Sequence, residues 1–268
     1  MTPERVTLEA YLKAAKSHPL YGLLRYPIQK EHIARYRFAA GLTTNTGLVV
    51  DAPSGAGWGT NLLASVTTGQ VRGIDRDDEA ISEAKAHFMR SNLSFTKADL
   101  LDSVTINALG EVDLMVCFEL IEHFKRPDAT QFLQNAKART KTLILSTPNR
   151  PLYSPYFEGE GKSANPYHQD EYTFDELQEL LHQAGWEVVA QYGQRFVEPD
   201  IYKRAAQALY PLRKAALNRG LPADHKLTVL PLLLLTELSV WISDEHLKPV
   251  NGGSKQPVFY TAICKPSG

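Results

Sequence analysis

The sequence is poor in cysteine, shows no excess of charge of either sign, and has no long apolar run. Two cysteines, Cys117 and Cys264, stand among 268 residues, too few for a disulfide framework or a zinc site. Both lie inside apolar runs that read as strands, so two buried thiols in a reducing, cytoplasmic setting are expected. Lys plus Arg number 29 against 30 Asp plus Glu, a formal net charge of −1. That balance argues against a global nucleic-acid footprint. Met1-Thr2-Pro3-Glu4-Arg5 is not a basic stretch leading into an apolar core, so no signal peptide is read. The apolar stretch 227–242 is broken by Pro231 and Glu237 and falls short of the about 20 residues a membrane span needs; a buried helix is expected there. Internal repeats and low-complexity tracts are also missing.

What is present is alternation. Hydrophobic residues make up 43 % and charged residues 22 %, a balance that supports a folded core. Residues 8–16 and 29–42 read as helices, the second with Ile33, Tyr36, Arg37 and Ala40 at helical spacing. From residue 47 short apolar runs alternate with helical patterns. Strands are expected at 47–51, 71–75, 93–97, 112–118, 141–146, 186–191 and 258–264, and helices at 77–89, 129–137 and 173–184, the last closed by Gly185. Such alternation gives βαβ units and a parallel sheet. The expected class is therefore α/β, a doubly wound, seven-stranded, mostly parallel, Rossmann-like sheet. The expected division is N-terminal helices over 1–46, a core of 47–194 and 257–268, and a helical insertion at 195–256. The insertion reads as two helices, 200–219 and 227–246, serving as a substrate lid or a homodimer contact. Lys203, Arg204, Arg213, Lys214 and Arg219 make the first of them basic, a pattern that is usually a solvated face.

Chemistry gathers at the expected carboxyl ends of the strands, where such sheets bind ligands. The first strand runs into Asp51-Ala52-Pro53-Ser54-Gly55-Ala56-Gly57-Trp58-Gly59-Thr60. Glycines let the backbone approach a ligand closely, and the following helix points free N–H groups at it. A dinucleotide fingerprint wants Gly or Ala where Thr60 stands. Asp51 would also repel a pyrophosphate, but attracts a cofactor carrying an amino group and a sulfonium. Both points favour S-adenosylmethionine over a nicotinamide dinucleotide. Asp75 ends the second strand, where a carboxylate can accept ribose hydroxyls, and Asp99 follows the third, where it can accept the adenine amino group. Each acid alone could equally be a helix cap; three at successive strand ends make a set.

From Gly47 to Trp186 the chain resembles the class I S-adenosylmethionine-dependent methyltransferases, motif by motif: the Asp51 loop, Asp75, Asp99, the fourth strand ending at Phe118, and Thr147-Pro148-Asn149 after the fifth. Pro53 stands where that family usually carries its first loop glycine, which stiffens the turn. The resemblance implies that Asp51, Gly55 and Gly57 line the methionine end, with Ser54 and Phe118 also at the cofactor. It places Asp75 at the ribose and Asp99 with Leu100 at the adenine, and it makes the last strand antiparallel.

The fourth strand leads into Glu119-Leu120-Ile121-Glu122-His123. In a helical turn Glu119, Glu122 and His123 share one face, and two carboxylates with an imidazole suit Mg or Mn. The pattern Glu119-x-x-Glu122-His123 followed by a later His is similar to that of the O-methyltransferases of ubiquinone biosynthesis. It is also similar to that of enzymes methylating the 2′-hydroxyl at the 3′ end of small RNAs. The second resemblance implies a metal on Glu119, Glu122, His123 and His168. Two other readings stand beside it. In one, Glu119 and His123 orient cofactor and acceptor without metal, with His123 and His168 as base and orienting group; in the other, His123 is a hydrogen-bonded structural histidine. The residues after strand four lack the Pro-Pro-aromatic pattern of base amino-methyltransferases, and Cys117, expected mid-strand, is not an activated nucleophile.

The function expected is methyl transfer from S-adenosylmethionine to a small hydroxylated acceptor, a saccharide or secondary metabolite. Tyr153, Tyr156, Phe157, Tyr167 and Tyr172 would stack on its ring or pack their loop. The alternatives are an RNA 2′-O-methyltransferase, disfavoured by the neutral charge, and a non-catalytic cofactor-binding partner protein.

Overall fold

The computed structural model describes residues 19–43, 46–155, 163, 165, 167–221, 231, 234 and 246–268. Five parallel strands form its centre: β1 (Leu48–Asp51), β2 (Gln70–Asp75), β3 (Leu93–Lys97), β4 (Leu114–Phe118) and β5 (Leu143–Pro148). Every residue of β4 and β5 is buried, as a parallel strand covered on both faces requires. Helices α1 (Pro19–Ala40), α2 (Trp58–Val66), α3 (Asp78–His87), α4 (Ser103–Asn107) and α5 (Arg126–Lys137) are followed by α6 (Arg150–Tyr153), α7 (Phe174–Gln183) and α8 (Pro199–Asn218). Strands β6 (Trp186–Val197), β7 (Lys248–Pro249) and β8 (Gln256–Pro266) complete the sheet, in the order β3-β2-β1-β4-β5-β8-β6-β7. β8 is antiparallel to both β5 and β6.

Alternation along the strands divides the core between two faces. Val49, Val71, Leu114, Val116, Phe118 and Ile144 pack with Tyr36 and Ala39 of α1 and Leu63 of α2. Val50, Ile74, Met115, Cys117, Leu143 and Leu145 pack with Phe132 and Leu133 of α5 and Leu177 and Leu181 of α7. Fully burying each such Phe or Leu contributes about 1.5–3 kcal/mol. Local signals set the helix starts. The Asp77 carboxylate accepts from the Glu79 and Ala80 N–H groups at the head of α3. Thr173 and Glu176 form a reciprocal capping box on α7.

The expected strands and their order of types hold, with differences in extent. Among the described residues the sheet has eight strands rather than seven, because the two-residue β7 pairs with Tyr192 and Gly193 at the edge, too short to give a period. β6 runs on to Val197, carried by its pairing with β8. The helix expected at 29–42 starts at Pro19, and the apolar segment at 62–64 lies within α2. The expected helix at 8–16 and most of the one at 227–246 fall outside the described residues. In α8, Arg204 and Lys214 are exposed and Lys203 half-buried, while Arg213 is buried, and Arg219 just beyond its end is exposed; the face is mostly solvated. Both cysteines are free and buried, and burial pushes the Cys264 thiol up to about 12 and Cys117 well above its ordinary value. No helix among the described residues is long and apolar enough to cross a membrane.

Candidate active site

Asp51 ends β1 fully buried. Its carboxylate accepts from the Tyr36 hydroxyl at 3.0 and 3.2 Å and from Thr60 Oγ1 at 2.6 Å. Burial pushes the Asp51 carboxyl up to about 7, against the pull of those two hydrogen bonds and with a further push from Asp75. Burial and the Asp51 charge in turn raise the Tyr36 phenol, which keeps it a donor.

The loop after Asp51 is shaped by backbone contacts. The Ser54 N–H donates to the Ile74 carbonyl at 2.9 Å and the Gly57 N–H to the Ser54 carbonyl at 3.0 Å. The Ala52–Pro53 peptide is cis, and Gly55 and Gly57 have φ of 51° and 84°. A Cβ on Gly57 would lie 2.6 Å from Ala84 Cβ and 2.7 Å from the Phe95 ring, whereas one on Gly55 would meet nothing within 4 Å. Gly57 is therefore required by packing, and Gly55 faces open space. The Gly55 N–H donates to Asp75 Oδ2 at 2.9 Å, and Asp75 Oδ1 accepts from the Asp77 N–H at 2.9 Å. Asp75 thus ties the loop to β2 while staying half-buried. Asp99 is exposed, its Oδ1 accepting from the Leu101 N–H at 3.0 Å, and Leu100 beside it is buried. Phe118 is buried edge-on to Tyr36, with ring centroids 5.1 Å apart.

β4 and β5 deliver the second group of residues. Glu119 follows β4 with φ 53°, uncommon for a residue with a side chain. Its Oε1 accepts from Ser146 Oγ at 2.7 Å and from Arg35 Nη1 of α1 at 3.2 Å. A single 3₁₀ turn, Ile121–His123, then presents Glu122 and His123. Glu122 is fully buried, with Oε2 accepting from Thr147 Oγ1 at 2.9 Å. The segment carrying His168 is pinned to this turn by backbone: the Gln169 and Asp170 N–H groups both donate to the Glu122 carbonyl, at 2.7 and 3.2 Å. Arg126 holds the same segment through Asp170 at 3.1 Å and lies over the Tyr172 ring.

Ligand atoms of Glu122, His123 and His168 lie within 4.8 Å of one another. The structure therefore brings together three of the four candidate metal ligands, while Glu119 faces Ser146 and Arg35 outside that group. Tyr153 stacks on His168 and packs edge-on to Phe259. Arg35 and Arg195 both lie over the Phe259 ring, at 5.1 and 5.0 Å. Arg195, the second non-glycine residue with positive φ among those described, pairs with Glu31 of α1. Each of these two strained residues is thus ion-paired to α1, one to Glu31 and one to Arg35. Of the loop aromatics, Tyr172 is buried and Tyr167 is 45 % exposed; Tyr156 and Phe157 lie outside the described residues.

Sequence reasoning missed the pairings of Arg35, Tyr36, Glu31 and Glu171. Nothing in local spacing marks them. The one visible hint was Thr60, a hydroxyl where a dinucleotide site needs a small apolar residue.

The family described as a methyltransferase domain matches residues 49–142. A probable S-adenosylmethionine-dependent methyltransferase of Mycobacterium tuberculosis H37Rv is 30 % identical over 185 residues, 68 % of this chain and 63 % of its own length. One from Mycolicibacterium smegmatis is 32 % identical over 146 residues, 52 % of each. The chain thus spans less than two thirds of the length of the curated relatives it matches. An S-adenosylmethionine-dependent methyltransferase from Clostridium acetobutylicum shares the fold with a TM-score of 0.55, at 11 % identity over 89 % of this chain and 91 % of that one. The methyltransferase domain of bacterial CtHen1-C does so at 0.53, 16 % identity, 89 % of this chain and all of that one. With this sheet order, antiparallel β8 and these relatives, the chain carries a class I S-adenosylmethionine-dependent methyltransferase domain.

Proposed function

We propose that the chain transfers the methyl group of S-adenosylmethionine to a hydroxyl oxygen of a small acceptor bearing neighbouring hydroxyls, such as a saccharide or secondary metabolite, with Mg²⁺ or Mn²⁺ at Glu122, His123 and His168. The observation that carries this reading is the Glu122–His123–His168 group at the carboxyl ends of β4 and β5, beside the β1 end that holds Asp51. The residues fit both groups. Open space over Gly55 suits a ligand lying on the loop, and the donor set of one carboxylate and two imidazoles suits a small divalent cation. When bound, the cofactor supplies the methyl on its sulfonium and the cation acidifies the acceptor hydroxyl.

The chain's own residues do the rest. Ionised Asp51 faces the cofactor's amino group, its carboxylate fixed by Tyr36 and Thr60. The first N–H groups of α2, which no side chain caps among the described residues, suit the cofactor's carboxylate. Asp75 suits the ribose, and Asp99 with Leu100 the adenine. Glu119 Oε1 accepts from Ser146 and Arg35, which fixes its carboxylate on the α1 side, where it suits orienting the cofactor against the acceptor. Tyr202 and Ala206 of α8 pack on Leu152, Val197 and Phe259, which supports the insertion as a lid over the acceptor.

The test follows labelled methyl from S-adenosylmethionine into catechols, saccharides and RNA oligonucleotides, with Mn²⁺ and after chelation. A base-stable methyl ether on a small diol, lost on chelation and restored by Mn²⁺, is expected. Label only in an RNA 3′ end would replace the small acceptor with RNA. Full activity after exhaustive chelation would remove the cation and leave His123 and His168 as proton acceptors.

A further inference from the structure

Two further glutamates border the Glu122–His123–His168 group, and they differ in what holds them. Glu171 is buried, 4 % exposed. Its Oε1 accepts from His168 Nδ1 at 2.7 Å and from the Ser163 hydroxyl, and Oε2 has no hydrogen-bond partner among the described residues. No Lys or Arg pairs with its carboxylate there, since Arg150 Nη1 donates to the Glu171 backbone carbonyl at 2.8 Å; the basic group on the carboxylate is His168. A carboxylate so enclosed needs positive charge nearby.

The neighbours of both imidazoles select one tautomer. Asn165 spends Oδ1 on the Tyr167 N–H at 3.0 Å, so its Nδ2 donates to His168 Nε2 at 2.9 Å. His168 thus gives its Nδ1–H to Glu171 and keeps its lone pair on Nε2. His123 Nδ1 faces the Tyr167 carbonyl at 3.2 Å, which can only accept, so its lone pair is also on Nε2. Donating Nδ1–H to a carboxylate or carbonyl is how an imidazole is oriented as a metal ligand. In this structure the Asn165 amide occupies the lone pair that a cation on His168 would take.

Glu119 belongs elsewhere. Its anchor Ser146 and the Glu122 anchor Thr147 are consecutive in β5, so their side chains leave opposite faces of the sheet. Ser146 shares its face with Ile144 and α1, and Thr147 with Leu145 and α7. The fully buried Arg35 then binds Glu119 to α1.

We propose that the second carboxylate serving this cation site is Glu171, a positioning residue acting through His168 Nδ1, and that Glu119 is not one of its ligands. The proposal rests on the cation reading above and departs from the four-ligand set the family resemblance implies. The test is an electron paramagnetic resonance titration of Mn²⁺ into the full chain with S-adenosylhomocysteine present. The proteins are wild type, Glu122→Ala, Glu171→Ala, Glu171→Gln and Glu119→Gln, with S-adenosylhomocysteine affinity as the check on folding. Glu171→Ala should weaken Mn²⁺ by about 10–100-fold, as loss of an outer carboxylate does. Glu171→Gln, whose amide oxygen still accepts the Nδ1–H, should recover part of that loss, and Glu119→Gln should stay within about threefold of wild type. A wild-type site abolished by Glu122→Ala but untouched by Glu171→Ala overturns the proposal, as does a site lost in Glu119→Gln. If Glu171→Ala also loses the cofactor, Glu171→Gln decides: wild-type affinity for both ligands overturns the proposal, and Mn²⁺ alone weakened supports it. No Mn²⁺ site in wild type sinks the cation reading itself.

Discussion

At the ends of β1 and β2 the open cradle is bordered by residues 51–77, one continuous stretch whose backbone makes most of the contacts: Gly55 on Asp75, Ser54 on Ile74, Gly57 on Ser54. At the ends of β4 and β5 the corresponding space is bordered by side chains from four separate segments, around residues 35, 119–123, 146–147 and 163–171. The first side is a loop folded against its own strands. The second is an assembly in which backbone bonds from Gln169 and Asp170 to Glu122 bring distant parts together. On the proposed function these are the cofactor side and the acceptor side, so the first should fail through local geometry and the second through loss of a partner far along the chain.

The strongest way to break that division is to damage one side and read the other. Asp51→Asn removes a buried charge while keeping an acceptor for Tyr36 and Thr60. It should weaken S-adenosylhomocysteine binding by about 30-fold, a charge-assisted hydrogen bond being worth ~2 kcal/mol, with Mn²⁺ affinity unchanged by titration. Glu122→Gln should do the reverse, lowering Mn²⁺ affinity by about 100-fold or more, beyond the effect of an outer-shell partner, with cofactor binding intact. If each variant lost both ligands, the two sides would be one cooperative unit.

Within the cofactor loop the two left-handed glycines sharpen the same point. Gly57→Ala combines a left-handed alanine, costing about 1–2 kcal/mol, with overlap onto Ala84 and Phe95, costing about 1–3 kcal/mol. It should show in thermal unfolding. Gly55→Ala keeps only the conformational cost, but its Cβ enters the open space, so calorimetry should find cofactor affinity falling out of proportion to stability.

Asp51 gives the cofactor side a pH signature. Its folded-state carboxyl lies near 7 rather than 3.8, so the native state holds a proton that the unfolded chain has released. Its contribution to stability therefore falls as pH rises from about 4 to 7. In the proposed placement cofactor binding runs the other way, since the ligand's amino group wants the ionised form. Below pH 7 the dissociation constant should rise by up to about tenfold per pH unit, and Asp51→Asn should lack this dependence. Tyr36→Phe removes a bond that pulls the carboxyl down, so its midpoint should lie higher than wild type. A midpoint unmoved in Tyr36→Phe would show that Tyr36 does not set the ionisation of Asp51.

The same division explains what the sequence made legible. Asp51, Gly55, Gly57 and Asp75 could be read because strand-end acids and loop glycines sit at fixed short offsets, and βαβ geometry does the rest. Glu119, Glu122 and His123 could be read as a motif, but not that Glu119 and Glu122 anchor on opposite faces of β5, a fact set by the phase of Ser146 and Thr147. Glu171 could not be read, because an acid three residues after a histidine is common in any exposed loop and only burial gives it meaning. Arg35 and Tyr36 looked like ordinary positions of an amphipathic helix. Their partners lie 84 and 15 residues away, and no local period encodes that docking.

The smallest effect separates backbone from side-chain control on the acceptor side. Arg126 pairs with Asp170 and Glu176 and lies over Tyr172, but its side chain is 42 % exposed. Such a pair contributes ~0.2–1 kcal/mol after solvent screening. The two bonds from Gln169 and Asp170 to the Glu122 carbonyl run through backbone, at 2.7 and 3.2 Å, so they should hold His168 near His123 without Arg126. Arg126→Met should then cost at most about 1 kcal/mol in chemical denaturation and leave Mn²⁺ affinity within about twofold, with only faster hydrogen exchange at Gln169 and Asp170. A Mn²⁺ loss as large as that of Glu171→Ala would mean that the segment is positioned by its surface charges, and the acceptor side would then respond to ionic strength in a way the cofactor side does not.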